Sequence, residues 1–155
     1  MTIIVWDGET LAVDRAGSDS YTKWEQEKSW VVRDTVIAGT GRLDTVLRMR
    51  KWWTDGGRDA EYPDLQKDAD TWGDFIIVDV EGLKRYERTC TPIEHRFNKC
   101  AFGSGKEFAY GVLAMGGTAH QAAQVANKYS QSCGIGIDLY TFKEGKLHHE
   151  RHSEF

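Results

Sequence analysis

At 155 residues the chain has the length of one ordinary domain, and we expect a single domain over 1–155 with a real hydrophobic core. Apolar residues make up 40% and charged residues 28%, and the net charge of −4 gives no electrostatic reason to bind nucleic acid or an anionic membrane. No apolar run approaches the roughly 20 residues of a bilayer span, and Met1-Thr2-Ile3-Ile4-Val5-Trp6-Asp7 lacks the basic and long apolar segments of a signal peptide. The three cysteines, Cys90, Cys100 and Cys133, form no CxxC pair, and their odd number argues for reduced thiols in a cytoplasmic protein.

In chain order, residues 2–6 read as a strand closed by Asp7-Gly8, a strong hairpin signal, and 10–13 as its return. The polar stretch 18–27 reads as a loop or an irregular edge. A second hairpin follows, 30–32 and 35–38 about Arg33-Asp34. After Gly39-Thr40-Gly41 the apolar period changes from two to about 3.6, which predicts an amphipathic helix over 43–53. Trp52 and Trp53 close that helix as core or subunit-contact residues. Residues 54–73 carry little periodicity and read as a long loop or a degraded second helix.

A third hairpin is predicted over 75–80 and 83–88, then a short strand over 99–102 ending at Gly103-Ser104-Gly105. Two helices come next. The first, 107–115, stops at Gly116-Gly117. The second opens at Thr118 with Gln121 three residues on, the pattern of a capping box. A last hairpin runs over 136–142 and 146–149, with His148, His149 and His152 in a polar tail without a cysteine partner, so no metal site is assigned to them. Strands and helices do not alternate as βαβ units. The order predicts an α+β fold of stacked, largely antiparallel sheets covered by helices.

Thr2 is the best candidate nucleophile. A threonine hydroxyl needs an adjacent base, and at a chain terminus its own α-amine, with a reference pKa of roughly 7.7–8.0, can serve. The first hairpin returns Asp14 towards the start of the chain, and Lys28 leads into the next hairpin. A lysine ammonium near the amine would keep it neutral, and a carboxylate would hold that lysine charged. Otherwise Asp14 is a turn residue and Lys28 a solvated charge. Gly39 ends a strand just before a helix, where a backbone N–H can donate to an oxyanion. A dinucleotide fingerprint from Gly39-Thr40-Gly41 fails because position 44 is Asp44. Ser104 is not in a G-x-S-x-G elbow; it is either a helix cap or a hydroxyl partner for a nucleophile and its amine.

Thr2-Ile3-Ile4-Val5, Leu11 to Ala16, Lys28, Val36-Ile37-Ala38-Gly39, Ala101 to Gly105, Phe108 to Leu113, Gly134 and Ile137-Asp138-Leu139 come in the order of the proteasome β-subunit and HslV family of N-terminal-nucleophile (Ntn) hydrolases, which the chain resembles. The resemblance implies a four-layer αββα sandwich and a threonine peptidase that hydrolyses peptides or unfolded proteins without a cofactor. It also implies a homo-oligomeric ring and an unfoldase ATPase as a partner. By position, Thr2 is nucleophile and base, Asp14 and Lys28 the supporting charge pair, Gly39 the oxyanion donor and Ser104 the hydroxyl near the amine. Thr2 behind Met1 is similar to HslV rather than to subunits with long leaders, and the amine is liberated only if Met1 is removed. The aspartate that the proteasome branch carries after the last helix falls here on Ser130 or Gln131. A catalytically idle scaffold of the same fold, or an amidohydrolase acting on small amides, are the competing expectations.

Overall fold

The computed structural model describes residues 2–19, 21–64 and 73–153. In order these are β1 (Ile3–Trp6), β2 (Thr10–Asp14), β3 (Ala16–Ser18), β4 (Lys23–Glu25), β5 (Ser29–Val32), β6 (Thr35–Gly39), α1 (Leu43–Thr54), a 3-10 turn (Asp59–Glu61), β7 (Phe75–Asp79), β8 (Gly82–Tyr86), β9 (Ile93–Arg96), β10 (Cys100–Gly103), α2 (Lys106–Ala114), α3 (Ala119–Tyr129), β11 (Gly136–Lys143) and β12 (Lys146–Ser153). One five-stranded sheet has the order β10-β1-β2-β11-β12, another β5-β6-β7-β8-β9, and β3-β4 form a two-stranded ribbon. Every described strand pair is antiparallel. The fold is α+β, as the element order predicted.

Side-chain alternation along the strands sorts the core into three clusters. Ile3, Val5 and Ala12 of the first sheet pack with Ala109 and Leu113 of α2 and the alanines of α3. Their neighbours Ile4, Trp6, Leu11 and Val13 point the other way, against Val36, Ala38, Ile76 and Val78 of the second sheet. Ile37, Phe75 and Ile77 use that sheet's far face to meet Met49 and Trp52 of α1. With both faces covered, β1 (IIVW) is buried at all four positions and reads as an unbroken apolar run. The four buried alanines of α3 (Ala119, Ala122, Ala123, Ala126) present a thin face that lies close on the strands.

Local signals hold where they have a mechanism. Thr118 Oγ1 accepts from Gln121 N at 3.1 Å while Gln121 Oε1 accepts from Thr118 N at 3.0 Å, the predicted capping box. Gly117 N donates to Val112 O and Gly116 N to Leu113 O, closing α2. Three expectations are corrected. Of the two readings of 18–27, the loop gives way to a short exposed edge: β4 pairs with β3, and Asp19 Oδ1 organises the turn by accepting from Tyr21 N and Thr22 N. β9, which was not predicted, has no buried position and so no apolar alternation to read. β12 continues to Ser153, so the histidines lie on a strand in register with β11, not in a tail. Of the 54–73 stretch, the 3-10 turn is described, and the expectation for 65–72 lies outside the described residues.

Trp52 is 4% exposed, edge-on to Tyr62 (4.9 Å) and Tyr86 (5.5 Å), and its Nε1 donates to Arg58 O at 2.8 Å. This is the core role expected of it. Trp52→Ala is expected to cost about 3–5 kcal/mol, read as a lower urea midpoint with an unchanged slope.

Candidate active site

The β1–β2 register sets Ile4 opposite Val13, which brings Asp14 beside the start of β1. Ile3 N donates to Asp14 Oδ1 at 3.0 Å, so the residue after Thr2 is fastened to this carboxylate. Asp14 is fully buried. Lys28, just ahead of β5 in the other sheet, reaches it with Nζ 3.0 Å from Oδ1 and 3.0 Å from Oδ2. Gly134 N adds a third donor at 3.3 Å. Burial pushes the Asp14 carboxyl up; the Lys28 charge and the backbone donors oppose it. Burial likewise pushes the Lys28 ammonium down, against the pull of Asp14. The turn-residue and solvated-charge alternatives for these two residues are therefore excluded.

A cavity of about 250 Å³ opens beside this pair, lined by Thr2, Lys28, Gly39, Trp24, Trp30 and Val46 among others. Thr2 is 5% exposed. Gly39 lies where a Cβ would come within 2.7 Å of Val46 Cγ2, so a larger residue there would need Val46 to move. Gly41 and the first turn of α1 line the same space; the N-cap residue Arg42 makes no side-chain cap bond, while Asp44 Oδ1 accepts from Thr45 N at 3.0 Å. On the other side, β10 pairs with β1 so that Gly103 faces Ile3. Its φ of +98° and a Cβ site 2.1 Å from Thr2 O admit only glycine. Ser104 Oγ donates to the main-chain carbonyl of Thr2 at 3.4 Å, and the helix-cap reading does not hold, since no side chain caps α2 at its N-cap residue.

Thus Thr2, Lys28 and Gly39 share one cavity, Asp14 lies behind Lys28, and Ser104 touches Thr2. The state of Met1 lies outside the described residues. At the place expected for an aspartate, Ser130 Oγ instead accepts from Ser132 N at 3.3 Å. The buried Cys133 thiol stands in contact with the hydroxyls of Ser130 and Ser104, raised by burial and then by the Asp14 charge. A buried carboxylate without an assigned role in the sequence reading is Asp138, 1% exposed on β11, which accepts from Arg15, His149 and Arg151. Its signal was a lone acid within the apolar run Gly136-Ile137-Asp138-Leu139-Tyr140. Burial would raise its pKa, but the three donors outweigh burial and hold it below the usual carboxylate range. Among the described residues no three His, Cys, Asp or Glu side chains are disposed to hold a metal ion, and no helix is long and apolar enough to cross a membrane.

This arrangement of sheets and helices is the HslV-like fold. The chain matches the structure of Thiobacillus denitrificans BPH in complex with epoxomicin with a TM-score of 0.66 at 16% identity, over 99% of this chain and 100% of that one. It matches the eukaryotic HslV from Trypanosoma brucei with a TM-score of 0.62 at 18% identity, over 89% of this chain and 96% of that one. No family model and no curated protein matches the chain.

Lys28→Met leaves Asp14 buried without its cation and is expected to cost about 3–5 kcal/mol at neutral pH. The Asp14 pKa, already raised, rises further in the variant. An acid whose folded pKa lies above its unfolded value of ~3.9 stabilises fully below that value, and the benefit is lost as pH rises through the folded pKa. The deficit relative to wild type should therefore shrink from pH 7 towards pH ~4. Urea titrations across that range check it, and a deficit that grows on acidification would contradict the pairing.

Proposed function

We propose that the protein is a threonine-type peptidase whose nucleophile is Thr2 once Met1 has been removed. The carrying observation is the Asp14 carboxylate, buried, gripped by Lys28 and bonded to the N–H of the residue after Thr2, behind a cavity that Thr2, Lys28 and Gly39 line together. In this reading the α-amine of Thr2 takes the proton from its own Oγ, and Oγ adds to the substrate carbonyl carbon. The carbonyl oxygen becomes an oxyanion that accepts from the Gly39 N–H, with the first turn of α1 lining the same cavity. The amine then gives its proton to the leaving nitrogen, the C–N bond breaks, and an ester on Thr2 Oγ remains. Water, deprotonated by the same amine, hydrolyses the ester and frees the enzyme. Lys28 lowers the amine pKa so that it is neutral and basic, Asp14 holds Lys28 in place, and Ser104 orients the Thr2 main chain.

The likeness to an epoxomicin complex supports this reading. The three apolar clusters support the finer αββα layering of one domain over 1–155, with α2 and α3 on one outer face and α1 on the other. We further propose a cytoplasmic homo-oligomeric ring, since an open site of this kind would cleave indiscriminately, with an unfoldase ATPase feeding it unfolded protein. Ser130 in place of the expected aspartate is the observation favouring the second reading, an idle scaffold.

Intact mass separates the two. The peptidase should lose Met1 and take up epoxomicin, whose ketone meets the Thr2 hydroxyl and whose epoxide meets the amine, at one adduct per chain. Thr2→Ala should take up none and lose at least about a thousandfold in kcat/KM on peptides. Equal turnover by Thr2→Ala, or a hydrolytically active chain that keeps Met1, would refute the assignment. A clean monomer by light scattering would remove the ring.

A further inference from the structure

One part of the cavity lining is the β3–β4 ribbon, which supplies Ala16, Gly17, Ser18 and Trp24, with Gln26 just beyond. This ribbon has little of its own to hold it. Each strand has three residues, all of β4 is exposed, and two strands alone are marginally stable in water. Trp24 lies over Gly17, where a Cβ would come within 2.5 Å of its indole nitrogen, and beyond this packing Ala16 of β3 is buried and Lys23 Nζ of β4 donates to Cys133 O at 2.8 Å.

What joins it to the sheet is Arg15, the residue after Asp14. Its carbonyl accepts from Gln26 N at 2.8 Å. Its guanidinium turns behind the ribbon, with Nε donating to Glu25 Oε1 at 3.0 Å and Nη1 to Asp138 Oδ2 at 2.5 Å. The two acceptors differ in kind. The Glu25 side chain is 57% exposed and is a weak, screened partner. The Asp138 side chain is 1% exposed and is itself fixed by two donors from β12, His149 Nε2 and Arg151 Nε, each at 3.1 Å from Oδ1. His149 in turn stacks on Tyr140 at 4.4 Å, and the Tyr140 hydroxyl bonds to Ser29 Oγ, next to Lys28, at 2.8 Å. A rigid anion in the sheet thus holds one end of an arginine whose other end holds the ribbon.

We propose that Asp138 is a positioning residue for the substrate cavity: through Arg15 it fixes the β3–β4 wall, and so sets affinity for the substrate without touching substrate or Thr2. The inference rests on the peptidase reading for its kinetic consequence but not for its mechanical one. Asp138→Asn keeps the shape and removes the charge, leaving the exposed Glu25 as the one carboxylate on Arg15 among the described residues. The wall then samples open positions and the substrate must reorder it, a cost that falls on binding.

The test uses full-length protein lacking Met1, in two arms. In amide hydrogen exchange, Asp138→Asn is expected to speed exchange of 16–18 and 23–26 by about tenfold or more, leaving β1 and β6 unchanged. Uniform acceleration across the sheet would make Asp138 a general stability residue, and no acceleration would break the clamp; either overturns the proposal. In peptide hydrolysis, KM is expected to rise about five- to thirtyfold while kcat changes less than about twofold. A fall in kcat at constant KM would place the effect on Thr2 and overturn it. Glu25→Gln, at the exposed end of the clamp, serves where Asp138→Asn does not fold, with KM up about two- to fivefold; unchanged KM and exchange there refute the clamp. If wild type takes no epoxomicin and cleaves nothing, the peptidase reading fails while the exchange arm still decides the clamp.

Discussion

The site depends on one buried ion pair that crosses between the two sheets. Asp14 ends a strand of one sheet and Lys28 precedes a strand of the other, and their contact lies behind the cavity wall that Lys28 helps to form. A charge cannot be carried into such a place alone: the desolvation cost of each ion is several kcal/mol, returned only if the partner is in contact and the remaining lone pairs are filled. Both conditions hold. Each Asp14 oxygen meets the ammonium, and the backbone N–H groups of Ile3 and Gly134 fill further positions. The pair does little for net stability compared with an apolar replacement. Its value is geometric, because it fastens the start of β1, and with it Thr2, to the opposite sheet.

Around that pair the surroundings are arranged by close approach. Gly103 has no side chain because the Thr2 carbonyl occupies the place of its Cβ, and Gly39 has none because Val46 does. Both are backbone constraints at the ends of strands that flank the cavity. The hydroxyl of Ser104 follows Gly103 directly, so the same turn that admits Thr2 also brings a donor to it. Three separate segments, 14, 28 and 103–104, therefore converge on the first residues of the chain, each by a strand ending there.

Much of this was legible in the sequence. The apolar runs of β1, β2 and β6 with the turn residues that bound them, the capping box at Thr118 and the glycine stop at 116–117 are local signals with local causes, and they placed these strands and helices. Thr2, Asp14, Lys28, Gly39 and Ser104 could be singled out because each stands at a strand end with a chemistry available to it. What was not legible depends on contacts between distant segments. Sequence alone left Asp14 as either turn residue or buried acid, because burial is decided by β11 pairing on its other side. β4 and β9 are polar and exposed, so no alternation marks them. Asp138 was read only as part of the last hairpin and of the family resemblance, and its partners Arg15 and Arg151 are 123 and 13 residues away in sequence. Pairing of that range leaves no short pattern.

The missing aspartate is the strongest objection to the proposed chemistry, and it weakens on inspection of the charges. A carboxylate near Ser104 would favour the protonated form of an amine at Thr2 and raise its pKa. Here the neighbours of Ser104 are the thiol of Cys133 and, beyond it, the hydroxyl of Ser130, all uncharged groups. The charges nearby are then the paired Asp14 carboxylate and Lys28 ammonium, of which the ammonium lines the cavity and favours a neutral amine, the form a general base must have. The orienting task that a charged acceptor would perform falls to weaker neutral contacts, which hold Ser104 less firmly. A network of this type is thus consistent with a base poised to act and with slower chemistry. An apolar pair in place of Asp14 and Lys28 would be at least as stable, so what the ion pair adds at the start of the chain is geometry and a charge beside the cavity.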